Sequence, residues 1–137
     1  MEKSDSVVII PTYNEKENIE SIIRAVRGLE AHDFEILIID DGSPDGTADI
    51  VKRLMAGEFK DKLHLVERQG KLGLGTAYIA GFKWALEHGY DYIFEMDADF
   101  SHDPNDLPRL YNACAKDGYD VAIGSRYVSG VNVVNWP

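Results

Sequence analysis

Hydrophobic and polar positions alternate between two periods along the chain. Short apolar, β-branched runs are separated by segments whose apolar residues recur every three to four positions. The runs VVII (Val7 to Ile10), EILIID (Glu35 to Asp40), LHLVE (Leu63 to Glu67), YIFEM (Tyr92 to Met96) and DVAIG (Asp120 to Gly124) each predict a strand. Ile19, Ile22, Ile23, Val26 and Leu29 share one helical stripe. Ala48, Val51, Leu54 and Met55 share a second, with Asp45 or Thr47 as its expected cap. A third helix has a small-residue face of Ala77, Ala80, Gly81, Trp84 and Ala85, and Gly89 stands where a left-handed residue ends a helix. Asp106 and Pro108 open a fourth, expected to stop near Gly118, with Cys114 on its apolar face beside Leu107 and Leu110. Strands alternating with helices in this way predict an α/β domain with a mostly parallel sheet.

The length of 137 residues, 45% of them hydrophobic, fits one domain with a real core, and no repeat or low-complexity linker divides it. A formal net charge of -10 argues against binding nucleic acid or an anionic membrane through general charge. An anionic ligand would need positive charge recruited locally, and a metal ion is one way to supply it. Cys114 is the single cysteine, so no internal disulfide can form and a reducing compartment is the simplest reading. Neither a signal peptide nor a stretch of transmembrane length is visible. The closing VNVVNWP carries no helix cap or stop signal, and a longer domain is expected.

Each predicted strand runs into a loop with chemical potential: PTYNE, DDGS, RQGKLGLG, DADFSHD and GSRY. In an open parallel sheet the carboxyl ends of the strands share one edge, where ligands bind at the point of strand-order reversal. Asp97 and Asp99 are one residue apart, so in an extended segment both carboxylates point the same way. They repel unless a cation sits between them, and oxygen-only ligands suit Mg²⁺ or Mn²⁺ completed by substrate phosphates. Counting from Asp97, an EF-hand would need Gly where His102 stands and Glu where Pro108 stands. A haloacid-dehalogenase-like Asp-x-Asp pair belongs after the first strand, not the fourth. Asp103 and Asp106 read as turn and capping acids. The glycine-rich loop is neither a dinucleotide fingerprint nor a P-loop, since Leu65 and Leu72 occupy the positions that need Gly and Ser or Thr. Its glycines are expected to let backbone pass close to another element or a ligand. Arg126, after the fifth strand, is a candidate for a bidentate diphosphate contact, with Lys71 and Arg68 behind it. His32, His64 and His88 are expected to be surface or loop residues without a role; His102 lies near the acids.

PTYNE, DDGSPDGT, GLGTAY, MDADFSHDP and GSRY, in this order, resemble the polyprenol-phosphate (dolichyl-phosphate) mannosyltransferases, inverting family 2 glycosyltransferases with a GT-A fold. The similarity runs from Val7 to about Tyr127. DDGSPDGT with GLGTAY points to polyprenyl-phosphate acceptors, and PTYNE to mannose rather than glucose. The resemblance implies that Pro11, Tyr13 and Glu15 line a nucleotide pocket and that Ile39 and Asp41 hold base and ribose. It also implies that Asp97, Ala98 and Asp99 form the diphosphate and metal site, with Arg126 on a donor or acceptor phosphate. Asp97, Asp99 and Arg126 would then carry catalysis, with Mg²⁺ or Mn²⁺ as cofactor. Ser101 departs from relatives that have Gln as a further metal ligand.

GDP-mannose and a polyprenyl phosphate are the implied partners. Work at the cytoplasmic face of a membrane is implied too, with membrane contact through parts beyond Pro137. Four rivals stand beside this reading: a polyprenyl-phosphate glucosyltransferase, a polysaccharide-forming family 2 enzyme, a sugar nucleotidyltransferase, and a donor-binding module without turnover. The nucleotidyltransferase would need a Gly-rich triphosphate loop where PTYNE stands.

Overall fold

A computed structural model describes residues 3–70, 72–115, 121–123 and 132–135. Strands β1 (Ser6–Thr12), β2 (Phe34–Asp40), β3 (Leu63–Glu67) and β4 (Tyr92–Glu95) alternate with helices α1 (Ile19–Arg27), α2 (Thr47–Ala56), α3 (Leu74–Glu87) and α4 (Asp106–Ala115). Two short strands, β5 (Val121–Ile123) and β6 (Asn132–Asn135), complete one sheet in the order β3-β2-β1-β4-β6-β5. β1 pairs in parallel with β2 and β4, and β2 with β3. β6 runs antiparallel to both β4 and β5. The order therefore steps outward from β1 to β3 and then returns to the far side of β1, which puts the reversal between β1 and β4.

Side chains of a strand alternate between its faces, and the core divides accordingly. Val8, Ile10, Ile36, Ile38 and Phe94 pack with Ile19, Ile22, Ile23 and Val26 of α1, with α2 and with Leu107, Leu110 and Cys114 of α4. Val7, Ile9, Leu37, Ile39 and Ile93 face α3 through its Ala77 and Ala85. β1 and β2 are buried almost end to end because helices cover both faces. The small-residue face of α3 has a definite purpose: a Cβ on Gly81 would lie 2.6 Å from Cγ2 of Ile9, so only glycine lets this helix sit so close to β1.

Four helices and five strands stand where periodicity predicts them. Three details differ. β1 extends through Pro11 to Thr12, although proline donates no ladder bond. Pro11 shares the parity of Ile9, whose carbonyl takes the bond from Met96 N–H, and it lies beyond the last β1–β4 rung at Ile9 and Glu95. The ladder therefore needs no donor there, and the two strands part. At α2 neither Asp45 nor Thr47 caps the helix; Gly46 takes the cap position in a left-handed conformation, and Asp45 accepts instead from Thr47. β6 is an added antiparallel strand that the five-strand reading lacks.

Candidate functional site

Where β1 and β4 part, a cleft of about 290 Å³ opens, lined by Pro11, Thr12, Tyr13, Glu15, Asp41, Gly73, Ala77, Asp97, Ala98 and Asp99. Its walls are fixed by side chains that serve the backbone. Asp40 is buried and accepts from Thr12 Oγ1 at 2.7 Å, from Ser43 Oγ at 2.7 Å and from Ser43 N–H at 3.0 Å. The end of β1 is thereby tied to the turn after β2. Successive N–H groups of Asn14, Glu15 and Lys16 then donate to Ser43 Oγ, Thr47 Oγ1 and Asp45 Oδ2. PTYNE is thus stitched onto DDGSPDGT, and Asn14 takes a left-handed φ of 56° that this residue type tolerates.

The glycine-rich loop closes a second wall. A Cβ on Gly42, whose φ is +72°, would meet the backbone nitrogen of Gly70 at 2.9 Å, so the two turns touch because Gly42 is bare. The close approach expected of the glycine-rich loop is there, but it is Gly42 that permits it; Gly70 and Gly73 face open space and serve through left-handed φ values of 78° and 101°. Arg68 joins them: its Nε and Nη2 donate to Asp41 Oδ1 at 2.7 Å and Oδ2 at 2.9 Å, while Nη1 donates to Thr76 Oγ1 at 3.1 Å. The fork balances the charge of Asp41, which faces the cleft, and anchors the first turn of α3. That turn adds the partial positive charge of a helix start beside Gly73 and Ala77.

Asp97 and Asp99 form the third wall. The segment is not extended beyond Glu95; it enters a turn at Ala98 and Asp99, and Phe100 takes a left-handed φ of 62°. The two carboxylates reach one cleft through this turn and not through strand alternation, which corrects the geometric reason given by the sequence. Tyr78 O–H donates to Asp97 Oδ1 at 3.2 Å and Ser101 Oγ to Asp97 Oδ2 at 3.4 Å. Ser101 N–H donates to Asp99 Oδ1 at 3.0 Å. Hydrogen bonds from Ser101, first from its side chain and then from its backbone, hold the Asp99 carboxyl below the usual range. Burial and the neighbouring Asp97 charge push the Tyr78 phenol well up, so it stays a neutral donor. Among the described residues no Lys, Arg or His forms an ion pair with Asp97 or Asp99.

The donor set fits a divalent cation that keeps open positions. Asp97 and Asp99 share the cleft without an ion-pair partner among the described residues, and no group of three His, Cys, Asp or Glu gathers there into a closed metal site. Such a pair suits Mg²⁺ or Mn²⁺ bound jointly with phosphate oxygens and water.

Of the residues singled out in the sequence, Pro11, Tyr13, Glu15, Asp41, Asp97, Ala98 and Asp99 come together in this cleft. Ile39 does not: it is fully buried in the α3-facing core, and its part is to pair with Pro11 and so set the register that delivers Asp41. Arg126 and Lys71 lie outside the described residues. Thr12, Gly73, Ala77 and Tyr78 were missed, Gly73 alone of them standing in the loop already marked; Arg68, weighed as a phosphate contact, forks onto Asp41 instead. The histidines near the amino ends of the strands also have more to do than expected. His64 Nε2 lies 2.8 Å from Glu35 Oε1, and His32 Nε2 lies 2.8 Å from Asp5 Oδ1 and stacks on Tyr111.

A sheet whose order reverses beside β1, with an acid pair at that reversal, is the GT-A architecture. The family model for glycosyl transferase family 2 matches residues 7–137, and the chain belongs to that family. It is 49% identical over 132 residues to the polyprenol monophosphomannose synthase of Mycolicibacterium smegmatis, covering 96% of this chain and 49% of that one. To the undecaprenyl-phosphate mannosyltransferase of Micrococcus luteus it is 47% identical over 131 residues, covering 96% and 52%. The chain thus spans about half the length of these relatives, and the resemblance seen in the loops holds across nearly all of it. Among solved structures, the mannosyltransferase PcManGT from Pyrobaculum calidifontis, in complex with GDP-Man and Mn2+, matches with a TM-score of 0.78 at 20% identity. That match covers 98% of this chain and 45% of that one, and it is a likeness of fold.

Proposed function

We propose that the protein transfers mannose from GDP-mannose to a polyprenyl phosphate, with inversion at the anomeric carbon and assistance from Mg²⁺ or Mn²⁺. One observation carries the reading. Residues from three separate loops, which the family resemblance assigns to a sugar-nucleotide site, line one cleft at the strand-order reversal. The relatives' acceptors, and the donor and metal of the structural neighbour, agree with it.

Pro11, Tyr13 and Glu15 would border the nucleoside, with Tyr13 37% exposed. Asp41, already accepting two bonds from Arg68, keeps lone pairs for base or ribose donors while adding no net repulsion toward an anionic ligand. Asp97 and Asp99 would hold the cation, which supplies Lewis-acid charge for the departing diphosphate. The acceptor phosphate is already an anion at neutral pH, so the protein must orient it and no general base is assigned. Its oxygen forms the new bond to the anomeric carbon as the bond to the diphosphate breaks on the opposite face, the electron pair leaving with GDP. Arg126 is proposed for a donor or acceptor phosphate.

Work at the cytoplasmic face of a membrane belongs to the same proposal; no helix among the described residues is long and apolar enough to cross one. The test is a panel of nucleotide-sugars offered with one polyprenyl phosphate and Mn²⁺. Mannosyl lipid from GDP-mannose alone is expected. Product from UDP-glucose instead would assign the glucosyl activity, and transfer only to a glycan would assign a polymerising one. Donor binding without turnover is the other outcome that the measurements separate. Metal-dependent binding of GDP-mannose in calorimetry with no product would select it.

A further inference from the structure

We infer that Tyr78 is a positioning residue for the cation-binding carboxylate of Asp97, set on α3 so that it orients the acid without neutralising it. The inference rests on the proposed metal role of Asp97. Four features carry it. The phenol donates to Asp97 Oδ1 at 3.2 Å across 19 residues of sequence, and Ser101 Oγ approaches the other oxygen at 3.4 Å. The phenol is thus the donor that fixes Oδ1, and with it a terminal torsion that is otherwise broad, while the single Ser101 hydroxyl is shared between Asp97 and Asp99. The Tyr78 ring is half-buried and packs on the α3-facing core. The helix beneath it cannot drift, because Gly81 sits hard against Ile9 while Ala77 and Ala85 are fully buried.

The chemistry of the partner matters as much as its place. A lysine or arginine here would hold the carboxylate equally well but would cancel the charge that attracts a cation. A hydroxyl fixes direction and leaves the full negative charge in the cleft. This is how outer partners act on metal ligands generally, and their removal typically weakens metal affinity by about 10–100-fold. The sequence also explains why the donor comes from α3: the same turn contributes Ala77 to the cleft wall, so one rigid element shapes the cavity and aims its acid.

The experiment measures Mn²⁺ uptake by electron spin resonance of the free ion, with GDP present, in the wild type, Tyr78→Phe, Phe82→Leu and Asp97→Asn. Tyr78→Phe keeps the ring and its packing. It should raise the Mn²⁺ Kd about tenfold, with GDP affinity in EDTA unchanged. Phe82→Leu trims a neighbouring α3 side chain on the same core and should leave the Mn²⁺ Kd unchanged. A Tyr78→Phe Kd within twofold of wild type, or an equal rise in Phe82→Leu, overturns the inference. No Mn²⁺ uptake by the wild type, or undiminished uptake by Asp97→Asn, overturns the metal reading itself and is told apart by those two samples.

Discussion

Two acid clusters at opposite ends of the sheet are partnered in opposite ways, although Asp41, also at the carboxyl ends, is held by Arg68. At the amino ends every acid in the cluster has a basic partner. Glu35, 1% exposed, accepts from Tyr90 O–H at 2.5 Å and from Ser4 N–H at 2.6 Å, with His64 at 2.8 Å and Lys62 at 3.7 Å. Asp33 pairs with Lys62 and Arg27, and Asp5 with His32 and Tyr111. At the carboxyl ends Asp97 and Asp99 receive only hydroxyl and N–H donors among the described residues. Folding accounts for the first cluster: burying Glu35 is tolerable because its partners offset the desolvation. The second has hydrogen-bond donors but no ion-pair partner among the described residues, and that is the arrangement the proposed cation would use.

Substitutions at the two ends should therefore separate function from stability. The largest effect is expected for Asp99→Ala. Loss of several kcal/mol of transition-state charge stabilisation should lower mannosyl transfer by about 10³-fold, while the melting temperature falls only slightly, since the carboxyl removed is exposed and held by bonds from Ser101. Turnover assays beside thermal melts check this, and wild-type turnover in the variant would end the proposal. Next comes Glu35→Ala at the opposite end. Breaking a buried pair costs about 3–5 kcal/mol of stability, read by denaturant unfolding, with transfer per folded molecule unchanged.

Acid titration should follow the amino-end cluster. Burial raises the carboxyl pKa of Glu35, but bonds from His64, Tyr90 and Ser4 more than offset it, and the net shift is downward. Asp33 and Asp5 are lowered likewise, against burial, by Lys62 and Arg27 in one case and by Ser6, Tyr111 and His32 in the other. A lowered folded pKa stabilises above the unfolded value and loses that contribution as pH falls through the folded one. Melting temperatures should be level near neutrality and drop below about pH 4, more shallowly in Glu35→Gln. The smallest effect is expected for Gly42→Ala. Its left-handed φ and the 2.9 Å approach to Gly70 cost about 1–3 kcal/mol, and the separated turns weaken nucleotide binding ahead of metal binding.

Much of this contrast was legible before any coordinates. Alternation and helical stripes located β1 to β5 and α1 to α4, because burial on both faces leaves long β-branched runs and one-sided helices. Topology brought the polar loops to one rim and spacing marked Asp97 and Asp99, while the family resemblance of the loop motifs named Pro11, Tyr13, Glu15, Asp41 and Ala98 beside them. What stayed hidden depends on contacts across long separations. The Arg68 fork on Asp41 spans 27 residues and the Tyr78 bond to Asp97 spans 19, and neither leaves a local pattern. Ile39 misled because it shares the face of Asp41 but lies one step back along β2, where α3 covers it completely. The histidines looked idle for the same reason as Arg68: their partners, Glu35 and Asp5, are distant in sequence. β6 escaped because VNVVN is short, and it is fixed by pairing with the distant β4 as well as with β5, the strand before it.

The most direct test of reserved charge at the carboxyl rim is calorimetric titration of Mn²⁺ into the protein with and without GDP, repeated on Asp97→Asn/Asp99→Asn. Binding of metal and nucleotide should strengthen each other by the same factor, as linkage requires, and the double variant should lose both metal uptake and that coupling. Equal Mn²⁺ affinity in the double variant, or a wild type whose metal and nucleotide bind independently, would contradict the account.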